Sequence, residues 1–276
     1  MREDKNKGIE EITKQLEDGV KAVFDSGKFE QYLDCMSKFW NYSVNNSILI
    51  FMQKPEATLV AGYQSWQKNF KRQVKKGEKA IKIMAPIPHK ILKEVEDEEG
   101  NKSEQEIKWT SFRAVPVFDV SQTEGEELPS LCNDLSGEVE GYEDLIQRLI
   151  DFSPVPVAFD DIQGTAKGFY SLTDKKIVIR AEMSQIQTVK TLVHEISHSI
   201  LHNLEDGAQK EVGKGTKEVQ AEGTAYTVCK SLGIDTSDYS FGYVAGWSEG
   251  KDLKELQASL EIIRTTAKDM LEAIRG

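Results

Sequence analysis

Residues 191–202 read TLVHEISHSILH, and residues 217–226 read KEVQAEGTAY. The first stretch decides how its half of the chain folds. His194 and His198 stand four apart, which on a helix places both imidazoles on one face, one turn apart, within reach of a single ion. Val189, Leu192, Val193, Ile196, Ile200 and Leu201 supply the apolar side that such a helix buries. Glu195 follows the first His; in the HExxH pattern this residue acts on a water molecule and not as a ligand. The pattern is short and arises by chance, so a half-buried helix with idle histidines has the same letters. Two further features point to a metal. A β-rich segment precedes the helix, and the next helix offers Glu218 and Glu222, four residues apart. Zinc bound by two His takes a third protein ligand, and a Glu from a neighbouring antiparallel helix completes the set. The spacing alone leaves open which Glu ligates; the other would accept a hydrogen bond from a ligand His and fix its tautomer. His202 lies eight residues beyond His194, about 12 Å along a straight helix. It is therefore expected behind the ligands or at the surface, and the Gly turn plus later His of longer motifs is absent.

Working outward, VPVAF (155–159) and KKIVIRA (175–181) read as strands, the latter expected at the cleft with an edge open to substrate. Gly164, Gly168 and a bend over 170–174 separate them. GYEDLIQRLIDF (141–152) reads as helix, and the helix bearing Glu218 and Glu222 is expected to stop at Gly233. Leu253, Leu256, Leu260, Ile263, Ala267, Met270 and Ile274 form an apolar stripe on a last helix, expected to pack within its own domain. In the first half, apolar steps predict helices near 9–23, 29–40 and 43–53. AIKIMAPI and IKWTSFRAVPVFDV read as strands flanking an acidic hairpin tip, EVEDEEGNKSEQE. Between Asp119 and Glu140 there are seven acids and no Lys or Arg, which reads as an interdomain connection. The expectation is an α+β chain of two domains, residues 1–128 and 138–276.

Composition sets the limits on function. With 276 residues, 39% hydrophobic and 29% charged, the chain has a soluble, globular make-up. No apolar run approaches the ~18 residues of a membrane span, and the first residues lack the apolar stretch of a secretory signal. Cys35, Cys132 and Cys229 are odd in number and scattered, which argues against disulfides and for the cytoplasm. A net charge of −11 argues against a uniformly basic nucleic-acid binder. Yet residues 61–93 carry nine Lys or Arg against one acid, Glu78, which suggests a local anionic partner. Tyr63, Trp66 and Phe70 interleave there with Lys68, Lys71, Arg72, Lys75, Lys76 and Lys79. Aromatic faces for bases and cations for phosphates are what single-stranded nucleic acid needs. Asn41, Tyr42, Asn45 and Asn46 can add hydrogen bonds. The same letters also fit a helix with Trp66 and Phe70 in the core and its lysines solvated.

HEISHSILH followed by EVQAEGTAY resembles the zincin metallopeptidases of the ImmA/IrrE type, whose second helix carries E-x-x-A-[N/D/E]-x-x-A. That resemblance puts Glu218 on the ligand position, Ala221 on the small residue, Glu222 on the polar position after it and Ala225 on the closing Ala. Glu222 departs from the Asn common in the ImmA branch. NYSVNNSILI, ATLVAGYQSWQ, VKKGEKAIKI and VPVFDVSQTEGEELP resemble the ArdC antirestriction proteins of mobile elements. Those join an N-terminal single-stranded-DNA-binding domain to a C-terminal zincin domain. The resemblance implies Zn2+ on His194, His198 and Glu218, Glu195 as the base of peptide hydrolysis, Glu222 behind the ligands, and single-stranded DNA on the first domain. It also suggests a role in protecting entering DNA from restriction. Two other readings stand beside it: a regulatory protease that cleaves a repressor, and a non-catalytic DNA-binding protein with a structural zinc. The oxyanion donor is left among Tyr170, Tyr226, Tyr239 and Tyr243.

Overall fold

The computed structural model describes residues 2–24, 28–96, 102–128, 139, 141–202, 212–236, 241 and 244–276. Three helices open the chain: α1 (Arg2–Val23), α2 (Lys28–Lys38) and α3 (Val44–Gln53). Ser43 caps α3 by accepting from the Asn46 N–H, an interaction worth about 1 kcal/mol. A short β1 (Val60–Ala61), α4 (Tyr63–Phe70) and β2 (Arg72–Val74) lead into two long strands, β3 (Ile81–Glu96) and β4 (Lys102–Asp119). These pair antiparallel in continuous register from Ile81↔Val117 to Glu96↔Lys102, so much of the stretch read as a hairpin tip is strand. The expected turn itself, residues 97–101, lies outside the described residues.

The β3 edge is closed by side chains. Asn46 donates to the Met84 carbonyl and accepts from its N–H, while Gln53 does the same for Lys82. Two amides thus stand in for a neighbouring strand and cap an edge that would otherwise be open. Asp119, counted above with the acidic connection, is instead a buried cap. Its carboxylate accepts from the Thr58 and Leu59 N–H groups and from Ser121. Burial pushes its pKa up, but these bonds outweigh it and hold the group below the ordinary carboxylate value. The chain then forms β5 (Thr123–Gly125), which pairs with β2. Residues 129–138 and 140, where the rest of the connection is expected, lie outside the described residues.

The second half holds α5 (Tyr142–Phe152), β6 (Val157–Asp160), β7 (Gly168–Ser171), β8 (Lys176–Arg180), α6 (Gln185–Leu201), α7 (Lys214–Ser231), α8 (Val244–Ser248) and α9 (Leu253–Arg275). Its sheet has the order β6-β8-β7, with β6 parallel and β7 antiparallel to β8. This corrects the expectation for KKIVIRA: β8 is central, with both edges taken. Tyr170 and Ser171, read as a bend, belong to β7, one of the two edge strands of the sheet. Leu149, Ile177, Ile179, Val189, Leu192, Val193 and Met270 form the core beneath. Gly233 follows α7 with φ 75°, as a C-terminal stop requires.

The other core draws on both halves. Val20, Leu33, Met36 and Ile48 pack with Val219, Tyr226, Leu260 and Ile263. The last helix therefore does more than close its own half. Polar contacts cross here too: the Tyr226 hydroxyl donates to Asp34 at 2.8 Å, and Lys230 lies 3.1 Å from the same carboxylate. Cys35 and Cys229 are buried. Among the described residues, no helix is long and apolar enough to cross a membrane.

Candidate metal centre

Helix α6 begins at Ser184, whose side chain accepts from the Gln187 N–H, and runs unbroken past both histidines. His194 Nε2 and His198 Nε2 lie 3.1 Å apart. Glu218 reaches them from α7, its Oε2 at 3.9 Å from His194 Nε2 and 3.6 Å from His198 Nε2. Three atoms at these separations all sit about 2.1 Å from a common centre, the length of a zinc–nitrogen or zinc–oxygen bond. Among the described residues these three form the group of His, Cys, Asp and Glu side chains whose donor atoms converge in this way.

The protonation states suit a cation. Burial, helped by His198, lowers the His194 pKa to about 4, so its ring is neutral at pH 7 and free to donate a lone pair. Contact with His198 holds Glu218 below the ordinary carboxylate value, against the opposing effect of burial. Glu195 is buried and lies outside the converging set. Burial raises its pKa, while the backbone N–H of Tyr170 donates to the carboxylate and works in the other direction.

Behind the converging triad runs a chain of rings. His198 Nδ1 lies 2.8 Å from His202 Nδ1, and His202 Nε2 lies 3.3 Å from Gln220 Oε1. With His198 Nε2 facing His194 and Glu218, an Nδ1–H on His198 would donate to His202, whose Nε2–H would then donate to Gln220. His202 is buried, and burial lowers its pKa to about 4, which keeps it neutral. It thus stands behind the converging side chains and away from the surface. Gln220 carries no sequence signal of its own. Replacing His202 with Ala is expected to lower metal affinity about 10–100-fold with the three ligands intact, the usual cost of losing such a support. Competition against a chromophoric chelator measures it.

Two clefts meet at this site. One, of about 490 Å³, is lined by Phe169, Tyr170, Leu172, His194, Glu195, His198 and Glu218, among others. The other, of about 320 Å³, is lined by Lys167, Gln187, Lys190, Thr191, His194, Glu195 and Glu222. Glu222 is thus beside the site and outside the converging triad. Strand β7 borders both clefts. A Cβ on Gly168 would lie 2.6 Å from Thr191 Cγ2, so glycine lets β7 press against α6 one turn from His194. Of the oxyanion candidates, Tyr170 lines the larger cleft. Tyr226 does not: it is buried in the shared core on Asp34. Tyr239 and Tyr243 lie outside the described residues.

The basic, aromatic segment is only partly free. Tyr63 is exposed, but Trp66 is fully buried and its Nε1–H donates to the Phe118 carbonyl. Its ring has no face for a base, which corrects the stacking role read for it. Arg72 donates to Thr123 Oγ1 and to the Thr123, Gly125 and Glu126 carbonyls, so it fastens the β2–β5 pair. Lys75 donates to the Ser121 carbonyl, and Lys71 lies 3.4 Å from Glu126. Lys68, Lys76 and Lys79 are exposed. Tyr42 donates to the Val60 carbonyl and Asn45 accepts from Gln257. With Asn46 on Met84, three of the four polar residues offered to nucleic acid above hold the fold instead; Asn41 is exposed.

Residues 5–118 match the family model of the N-terminal domain of anti-restriction factor ArdC, so this part of the chain is ArdC-like. An uncharacterized protein of Bacillus anthracis is 28% identical over 309 aligned positions, which cover 96% of this chain and 52% of that protein. The chain thus spans about half the length of that relative. The Mn(II)-bound crystal structure of the antirestriction ArdC protein from plasmid R388 is 19% identical, with a TM-score of 0.56 over 95% of this chain and 96% of that one. The metal-free structure of the same protein is 22% identical, with a TM-score of 0.49 over 85% of this chain and 83% of that one. The likeness to the Mn(II)-bound protein is one of fold.

Proposed function

We propose that this chain is a single-stranded-DNA-associated metallopeptidase of the antirestriction type, carried by a mobile element. The observation that carries the hydrolytic part is the convergence of His194, His198 and Glu218 beside a buried Glu195 and an open cleft. A structural zinc site uses four protein ligands and is closed. Three converging ligands that line a cleft favour a catalytic site instead.

A divalent ion held by these three residues would polarise a scissile carbonyl and acidify water. Glu195 is then the base: its carboxylate takes a proton from the attacking water and delivers it to the leaving amine. Its raised pKa brings it closer to neutral pH, where such an exchange is most effective. The edge strand β7 would align an extended peptide by backbone pairing, with Phe169 and Leu172 on the cleft wall. Tyr170 is the oxyanion candidate that the cleft retains.

Two imidazoles and a carboxylate bind zinc more tightly than manganese, so zinc is the expected resident ion. Single-stranded DNA would be held by the N-terminal half through Tyr63, Lys68, Lys76 and Lys79, with Lys71 at the margin; Trp66, Arg72 and Lys75 support that surface. The experiment is metal analysis of the purified protein alongside hydrolysis of unstructured protein substrates. About one zinc per chain, with activity abolished by chelation and restored by zinc, is the expected result. A chain that binds no divalent metal would overturn the hydrolytic reading. Titration with labelled single- and double-stranded DNA at several salt concentrations tests the other part, through a salt-dependent preference for single strands.

A further inference from the structure

The two clefts that meet at His194 and Glu195 differ in what they offer a substrate. The smaller presents Lys167, Gln187, Lys190, Thr191 and Glu222, polar groups of both signs with no large apolar side chain among them. Lys167 there donates to Gln187 Oε1 at 2.6 Å. The larger has two unlike walls. One, from β7 and the turn after it, carries Phe169 and Leu172. Phe169 is 42% exposed and Leu172 43%, so both are open to a ligand. The other wall is the first turn of α7, which brings Lys214 and Lys217.

Charge in the larger cleft is balanced only on paper. Its lining holds two cations, Lys214 and Lys217, and two acids, Glu195 and Glu218. Both acids are taken up by the chemistry proposed above, Glu218 as a ligand and Glu195 as the base. Asp174, in the turn beyond Leu172, accepts from the Ser171 hydroxyl at 3.1 Å and lies 4.0 Å from Lys176. Among the described residues, no carboxylate forms an ion pair with Lys214 or Lys217. Their fields nevertheless reach the site, that of Lys214 at Glu218 and that of Lys217 at His202. The charge left over for a substrate is therefore positive. Cations are also unfavourable at the start of a helix, and α7 opens with these two lysines and no acid. Local rules broken in this way are found at functional sites.

We infer that the larger cleft selects acidic peptide segments, seating an apolar side chain on Phe169 and Leu172 and a neighbouring carboxylate on Lys214 and Lys217, beside the bond to be cleaved. The inference rests on the hydrolytic reading above and names its class of substrate. Selection acts at contact and not during approach, because the chain as a whole carries −11 and repels an acidic partner at long range. Its signature is therefore in affinity and KM. A peptide with lysine in place of the acid meets two like charges in the cleft, which turns attraction into rejection.

The probe is a ten-residue peptide with a central Leu-Phe pair flanked by Asp and Glu. Two relatives carry Asn and Gln, or Lys, at the flanking positions. Binding is measured by anisotropy of the fluorescein-labelled peptides on the zinc-loaded, full-length Glu195→Gln chain, and hydrolysis by the zinc-loaded parent is followed by chromatography. Affinity is expected to fall from acid to amide to lysine, by about tenfold or more across the series. In the parent, kcat/KM should follow the same order, chiefly through KM. Added salt should narrow the range, because the lysines are open to solvent. Lys214→Gln combined with Lys217→Gln, at parental zinc content, should bring the acid-to-lysine ratio close to one, and the corresponding double change to Glu should invert it. A loss of fold would lower all three peptides together and could not invert a ratio. Equal binding of the three peptides, or a ratio that both double variants leave unchanged, overturns the inference alone. Absence of hydrolysis with the binding preference intact overturns the hydrolytic reading and leaves the cleft as a site for acidic peptides. Peptides that are neither bound nor cleaved overturn both.

Discussion

Glu195→Gln is expected to lower kcat/KM for peptide hydrolysis about 10²–10⁴-fold, the range that general acid–base catalysis contributes, while bound metal stays at the parental level. The amide has the shape of the carboxylate and can still accept from the Tyr170 backbone N–H, so the cleft keeps its form. What it loses is basicity. Because Glu195 is outside the converging triad, the ligand set is untouched. Burial already works against the charged form of this group, so the neutral amide removes a cost of folding and thermal stability should be equal or higher. A protein that is inactive because it unfolded would show the opposite. The pH profile gives a second readout. In the parent the rate falls as pH drops through the Glu195 pKa, since the protonated acid cannot accept from water, and that acidic limb should vanish in the variant. Peptidase activity that survives the substitution, with metal bound, would remove Glu195 from the mechanism.

How much of this was readable in the chain depends on how local each feature is. The α6 ligand pair needs only the pitch of a helix, so two letters four apart give it at once. The approach of Glu218 needs two helices to pack. The sequence offered two candidates for that position, and packing of α6 on α7 decides which carboxylate meets the rings. Strand β7 was missed because four residues, Gly168–Ser171, are too few to show an alternation. The signal available was Gly168 itself, which reads as a turn until Thr191 is seen against it. The shared core was illegible for a different reason. An acidic, Pro- and Gly-containing stretch separates the halves in sequence, but apolar spacing on α2, α7 and α9 says only that each helix buries a face and not against what. Trp66 shows the same limit: its helical spacing to Phe70 fitted both a core pair and a stacking platform, and the Phe118 carbonyl at 2.9 Å marks the first. Buried hydrogen bonds of that kind leave no trace in composition.

Glu218→Ala and Glu222→Ala should separate sharply in metal affinity, although both remove a carboxylate from one face of α7 beside the same cleft. Glu218 Oε2 stands with the two Nε2 atoms around a centre that fits an ion. Its loss removes a ligand and should weaken binding by more than the ~100-fold ceiling usual for groups that only support ligands. Glu222 lies one turn farther along, lining the smaller cleft with Lys190 and Thr191. Its loss should cost affinity no more than a supporting group does, and its effect should fall mainly on substrate binding, as a raised KM. Glu218→Asp is a sharper probe, since it keeps the charge and retracts it by one methylene. A site set by long-range attraction would tolerate that change, whereas a site set by donor position would not. With donor atoms already 3.6 and 3.9 Å from their neighbours, a shorter side chain has no slack, so most of the affinity should be lost despite the conserved charge. Calorimetric titration of zinc into the metal-free proteins reads all three variants on one scale. Equal losses for Glu218→Ala and Glu222→Ala would mean that both carboxylates share the ion, and the three-ligand site would have to be redrawn with its fourth position closed.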